Sequence, residues 1–99
     1  PWTSLIPVVT ENPARRMGLA GKGALRPGAD ADIAIVDLNS SWIVGRDRLG
    51  TDAGYSIYEG EKMKSSVVHT LSRGRFVLRD GTLQDNAVGG GKYVARSLN

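Results

Sequence analysis

Two dipeptides, Arg73-Gly74 and Asp80-Gly81, punctuate the stretch from Val67 to Leu83 and restrict the chain's options more than any other feature. A two-residue link between antiparallel strands needs positive φ at its central positions, and Asp-Gly tolerates that at both. The flanking segments Val67–Ser72, Arg75–Arg79 and Thr82-Leu83 carry strand-forming residues, so the spacing predicts a three-stranded meander. Phe76 and Leu78 share one face, whereas Arg75, Val77 and Arg79 share the other, which is then half solvated. Upstream, Asp32–Leu38 reads as a strand with Ile33 and Ile35 on one side and Ala34 and Val36 on the other, as expected for a strand covered on both faces. Asn39-Ser40 is a turn, Ser41–Val44 a short strand carrying Trp42, and Gly45–Glu61 a long connection that Tyr55 and Tyr58 are expected to pin to a surface. Thirteen glycines in 99 residues agree with a turn-rich, mostly β chain.

The N-terminal end differs. Trp2, Leu5, Ile6 and Val9 recur at helical spacing, with Pro7 expected to kink or weaken the segment. Asn12 as N-cap, Pro13 at the first helical position and Gly18 beyond the last turn bracket a second helix over Pro13–Met17, too short to stand without packing. Gly21-Lys22-Gly23 and Pro27-Gly28 mark a loop. Gly89-Gly90-Gly91 forms a flexible joint, after which Lys92–Arg96 is expected to dock as one more strand or to lie on a neighbour. The chain therefore divides into a helical piece over 1–19, strands over 20–85 and a tail over 86–99 that is a candidate subunit contact.

Composition removes several classes of chemistry. The absence of cysteine excludes disulfides, a thiolate zinc site and a cysteine nucleophile. With 40% hydrophobic and 23% charged residues the chain is ordinary globular material for one small domain. The apolar run Ile33–Val36 falls far short of the roughly 18 residues of a membrane span, and no signal peptide is visible behind Pro1. A net charge of +3 is a weak field for nucleic acid, and Arg73, Arg75 and Arg79 read as a solvated face rather than a basic stripe interleaved with aromatics.

His69 is the single histidine, and its parity with Val67 and Leu71 marks it as packed on a strand. Asp30, Asp32 and Asp37 lie at strand ends, where carboxylates accept bonds from backbone donors in turns. The phosphate-loop and dinucleotide patterns fail at Tyr93 and Arg26, and Tyr58 breaks the nucleophile-elbow pattern begun at Gly54. No catalytic, cofactor-binding or metal-ligating residue is assigned in this chain.

Taken in order, Asn12-Pro13-Ala14-Arg15 to Gly18-Leu19 and then Gly21-Lys22-Gly23-Ala24-Leu25-Arg26-Pro27-Gly28-Ala29-Asp30-Ala31-Asp32-Ile33 resemble the C-terminal region of the amidohydrolase superfamily. Tyr55-Ser56-Ile57-Tyr58-Glu59-Gly60, followed by Val67 to Thr70, Arg73-Gly74 and Asp80-Gly81, narrows the resemblance to the cyclic amidohydrolases: dihydropyrimidinase or hydantoinase, allantoinase and dihydroorotase. The similarity runs from about Thr3 to Arg96, and the family more often has proline where Ile57 stands.

The resemblance implies a chain mostly β with a short N-terminal helical segment. Residues 1–19 would be the end of the last helix of a (β/α)8 barrel and its short follower, and residues 20–85 the C-terminal half of a composite β-sandwich. It also implies a cytoplasmic homo-oligomer that opens a cyclic amide with hydroxide between two divalent metals, usually zinc. The ligands are a His-x-His pair, a carboxylated lysine, two further histidines and an aspartate, and none of them maps onto this sequence. The partner of the segment would be the remainder of its own enzyme chain, with neither nucleic acid nor membrane involved. A non-enzymatic β binding module and a scaffold of the same fold without metals are the alternatives.

Overall fold

The computed structural model describes residues 1–97. Helix α1 spans Trp2–Val9 and α2 spans Glu11–Arg16. Six strands follow: β1 Ile33–Asp37, β2 Trp42–Ile43, β3 Lys62–Met63, β4 Ser66–Ser72, β5 Arg75–Arg79 and β6 Thr82–Leu83. Single 3-10 turns occupy Arg46–Arg48 and Asp85–Ala87. The chain is thus mostly β behind a short helical segment.

The meander forms as the turns dictate. Arg73 and Gly74 take φ of 49° and 82°, and Asp80 and Gly81 take 49° and 76°, so both links have the left-handed pairs that suit tight hairpins. Strand β1 adds antiparallel to β4 and completes a four-stranded sheet in the order β1-β4-β5-β6. The alternation read from sequence is interrupted. The β4–β5 register passes from Leu71↔Phe76 to Thr70↔Leu78, leaving Val77 as an extra residue, and Phe76, Val77 and Leu78 are all half-buried. A second irregularity separates Ile35 from Val36 on β1.

Strands β2 and β3 make a separate two-stranded ribbon. It closes the base of the long loop through Val44 N–H to Glu61 O and Gly60 N–H to Val44 O, each 2.9 Å, and Val44 is buried there. Trp42 is held by its indole N–H, which donates to Ser65 O at 2.9 Å, and by the Arg48 guanidinium 4.3 Å over its ring. Tyr55 and Tyr58 do not pin the loop to this chain, because both side chains are exposed.

The helical segment corrects one expectation. Pro7 sits inside a continuous α1. The second helix begins at Glu11 behind Thr10, not at Pro13 behind Asn12. Pro13 then falls in the first turn, where its missing N–H removes no intrahelical bond, and the Asn12 side chain accepts from the Arg15 guanidinium at 3.0 Å instead of capping. The stop signal holds: Gly18 has φ 69°, Gly18 N–H bonds Arg15 O at 3.2 Å, and Leu19 N–H bonds Ala14 O at 2.9 Å, the paired closure of a Schellman end. The tail forms no additional strand over Lys92–Arg96.

Candidate functional site

Two features could do something beyond holding the chain together. The first is an ionic node in the loop that joins helices to sheet. Lys22 Nζ lies 2.8 Å from Asp30 Oδ2 and 2.6 Å from Asp32 Oδ2. The other oxygen of Asp32 accepts the Arg73 backbone N–H at 2.8 Å, and Gly74 N–H donates to Ala31 O at 3.0 Å, so the node fastens the loop to the β4–β5 turn.

The bond from Lys22, aided by the Arg73 N–H, holds the Asp32 carboxyl below the ordinary carboxylate range, and hydrogen bonds to Asp30 and Asp32 raise Lys22 above the ordinary lysine value. The stabilisation from Asp32 is therefore complete above about pH 4 and is lost as pH falls further, while that from Lys22 is complete below about pH 10.4 and is lost at higher pH. Asp32→Asn in the intact gene product is expected to lower stability at pH 7 by less than about 1 kcal/mol, because the groups are solvent-accessible, and to flatten the acid limb of a Tm-against-pH curve. An unchanged acid limb would show that the node carries no stability.

The second feature is an apolar cleft of about 760 Å³ between α1 and β1, walled by Trp2, Ile6 and Val9 on one side and Ile33, Val36 and Leu38 on the other. Its size is that of a small-molecule site, but such sites need a few convergent polar groups. Here Thr10 Oγ1 donates to Ile6 O at 2.7 Å, and Asp32 is taken by Lys22. The one further titratable group in the lining is the exposed carboxylate Glu11, and no nucleophile or second unpaired polar group converges with it, so what the cleft can do is pack against apolar side chains.

The remaining candidates are all occupied by structure. His69 Nδ1 accepts the Asp80 N–H at 3.1 Å, and its ring meets Phe76 edge to face at 5.6 Å. Asp37 Oδ1 accepts the Asn39 N–H at 2.9 Å in a local turn. Arg79 lies 4.9 Å over the Phe76 ring, Arg75 donates to Asn86 O and Arg73 to Gly90 O. Sequence reasoning placed these arginines on an open face and missed that two of them hold the tail. Among the described residues no three His, Asp or Glu side chains come together as a metal could require.

Comparison with known proteins gives one consistent answer. The sequence profile of the amidohydrolase family matches residues 1–78. A dihydroorotase from Methanothermobacter thermautotrophicus is 36% identical over 87 residues, which are 88% of this chain and 20% of that protein. A D-phenylhydantoinase from Escherichia coli is 40% identical over 85 residues, 85% of this chain and 18% of that protein. The solved dihydropyrimidinase from Brevibacillus agri superposes with a TM-score of 0.86 at 30% identity, over 93% of this chain and 20% of its own. The chain thus spans about a fifth of the length of the relatives it matches.

Proposed function

Because this chain belongs to the amidohydrolase family, we propose that it is the C-terminal portion of a metal-dependent hydrolase that opens a C–N bond in a cyclic amide. The reactive centre lies outside these 99 residues, and the portion alone is inactive. One observation carries the reading: two relatives of different substrate name, dihydroorotase and D-phenylhydantoinase, match nearly all of this chain with only about a fifth of their own length. What the two names share is hydrolysis of a ring amide.

The residues present do not fit a two-metal site. The carboxylate pair Asp30 and Asp32 is neutralised by Lys22, and the single imidazole, His69, accepts a backbone N–H. An open catalytic metal site needs about three protein ligands converging from fixed elements, and these groups point to other tasks. The role of this portion is mechanical. The sheet is the C-terminal half of a composite β-sandwich, α1 is the end of the last barrel helix, and the apolar cleft receives side chains from the rest of the enzyme. The same reading makes the protein a cytoplasmic homo-oligomer, with exposed tail residues such as Val88 and Tyr93 as the candidate subunit contact. A nucleic-acid role for the hairpin is disfavoured by the commitment of Arg73 and Arg75 to tail carbonyls.

The test is an assay of the intact gene product on hydantoin, dihydrouracil, allantoin and dihydroorotate, before and after chelation and metal return. Ring opening of at least one substrate, lost on chelation and restored by a divalent cation, is the expected result. Failure on all four with metal supplied would leave a scaffold of the same fold and overturn the enzyme reading.

A further inference from the structure

Residues 88–97 carry no helix or strand, yet the tail is tied down at three places. The Arg75 guanidinium donates to the Asn86 carbonyl and the Arg73 guanidinium to the Gly90 carbonyl, so two side chains of the β4–β5 hairpin hold its start. At its far end Ser97 N–H donates to Gly18 O at 2.9 Å. That last bond crosses from the sheet side of the molecule to the end of α2.

The approach is close. A Cβ at position 18 would stand 2.1 Å from Ser97 O and 2.7 Å from Ser97 C, both backbone atoms that cannot swing aside. Gly18 therefore meets two separate demands. It supplies the left-handed turn that ends α2, and it leaves room for the tail. The Schellman end explains the first demand alone. Meanwhile the helices touch the four-stranded sheet little directly, so their placement depends on the loop carrying the Lys22 node and on whatever else spans the two parts.

We propose that residues 86–97 are a strap, buckled to the sheet by Arg73 and Arg75 and latched to the helical pair at Gly18, which fixes the helices at the angle that keeps the α1–β1 cleft open. The latch exists because residue 18 has no side chain. This strap works within one chain and does not depend on which reaction the enzyme performs.

The test is hydrogen exchange and thermal melting of the intact gene product in four forms: unchanged, Gly18→Ala, truncated after Gly91, and both together. Gly18→Ala is expected to speed exchange of the Ser97 amide, the one bonded amide of 92–97, at least tenfold. Truncation is expected to speed exchange at Gly18 and Leu19. In the truncated chain Gly18→Ala adds only the backbone strain of a left-handed residue, so the Tm loss of the double form falls well below the sum of the two single losses. Additive losses, or Ser97 exchange unmoved by Gly18→Ala, would overturn the strap. Should Gly18→Ala fail to fold, Arg73→Met at its exposed position frees Gly90 alone. Faster exchange of the bonded Gly90 and Ser97 amides with an unchanged β4–β5 hairpin supports the strap, and unchanged exchange at both overturns it.

Discussion

Expressed alone, the 99-residue chain is expected to self-associate and to melt without a sharp transition. Its accessible surface is 8002 Å² for 10.6 kDa, whereas a compact monomer of that mass exposes about 5,500 Å². The surplus is roughly 2,500 Å² by that scaling, more than a standard protein interface buries in total. Its radius of gyration is 15.4 Å, against about 12.6 Å for a compact domain of this length. Among the described residues only Ala14 and Val44 are buried apolar residues, while Trp2, Leu5 and Ile6 are each about half exposed, at 50%, 51% and 50%. Ordering a backbone costs about 1–2 kcal/mol per residue, and a core of two small side chains cannot offset that. Light scattering coupled to sizing should give a mass above 10.6 kDa or a spread of species, with strong binding of an apolar dye. A monomer with one cooperative melt would mean that the exposed faces need no partner.

The second large effect concerns Gly23. In the intact gene product Gly23→Ala is expected to cost about 2–5 kcal/mol, the sum of left-handed strain and overpacking. Gly23 has φ 83°, and an added Cβ would lie 2.8 Å from both Ala14 Cβ and Thr10 O and 3.0 Å from Glu11 Cα. Two of those atoms belong to the backbone around α2, so the loop must move off the helix, and Ala14 loses its cover. Gly28 is the matched control: its φ is 87°, but nothing stands within 4 Å of the added Cβ. Gly28→Ala should therefore cost only the strain, about 1–2 kcal/mol. Denaturant melts of the two variants separate close approach from backbone conformation. Equal losses would show that the Gly23 contact is not tight.

The sequence announced local features well and distant pairings poorly. Arg73-Gly74 and Asp80-Gly81 specified their turns because positive φ is a property of two residues, and Gly18 specified the end of α2 for the same reason. Strand β3 is only Lys62-Met63, with no alternation to read, and it exists because β2 meets it across a long loop. The pairing of β1 with β4 is likewise invisible locally, although Ile33 to Val36 showed the apolar character of the strand. The start of α2 was misplaced because Asn12 and Pro13 are good first-turn residues at more than one register.

At the candidate sites, the sequence showed Asp32 at a strand end but not the lysine that neutralises it. Nor did it show that the arginines of the hairpin bind carbonyls of the tail, since those bonds span 11 and 17 residues of chain. Tyr55, Ile57 and Tyr58 fall within the span that the amidohydrolase profile matches, yet all three side chains are exposed.

The most direct test is to divide the intact gene product immediately before Pro1, co-express the two polypeptides, and measure ring opening by the pair and by each piece. The pair is expected to co-purify and to turn over a cyclic amide while the 99-residue piece shows no turnover. Hydrolysis by the 99-residue piece alone would contradict that expectation.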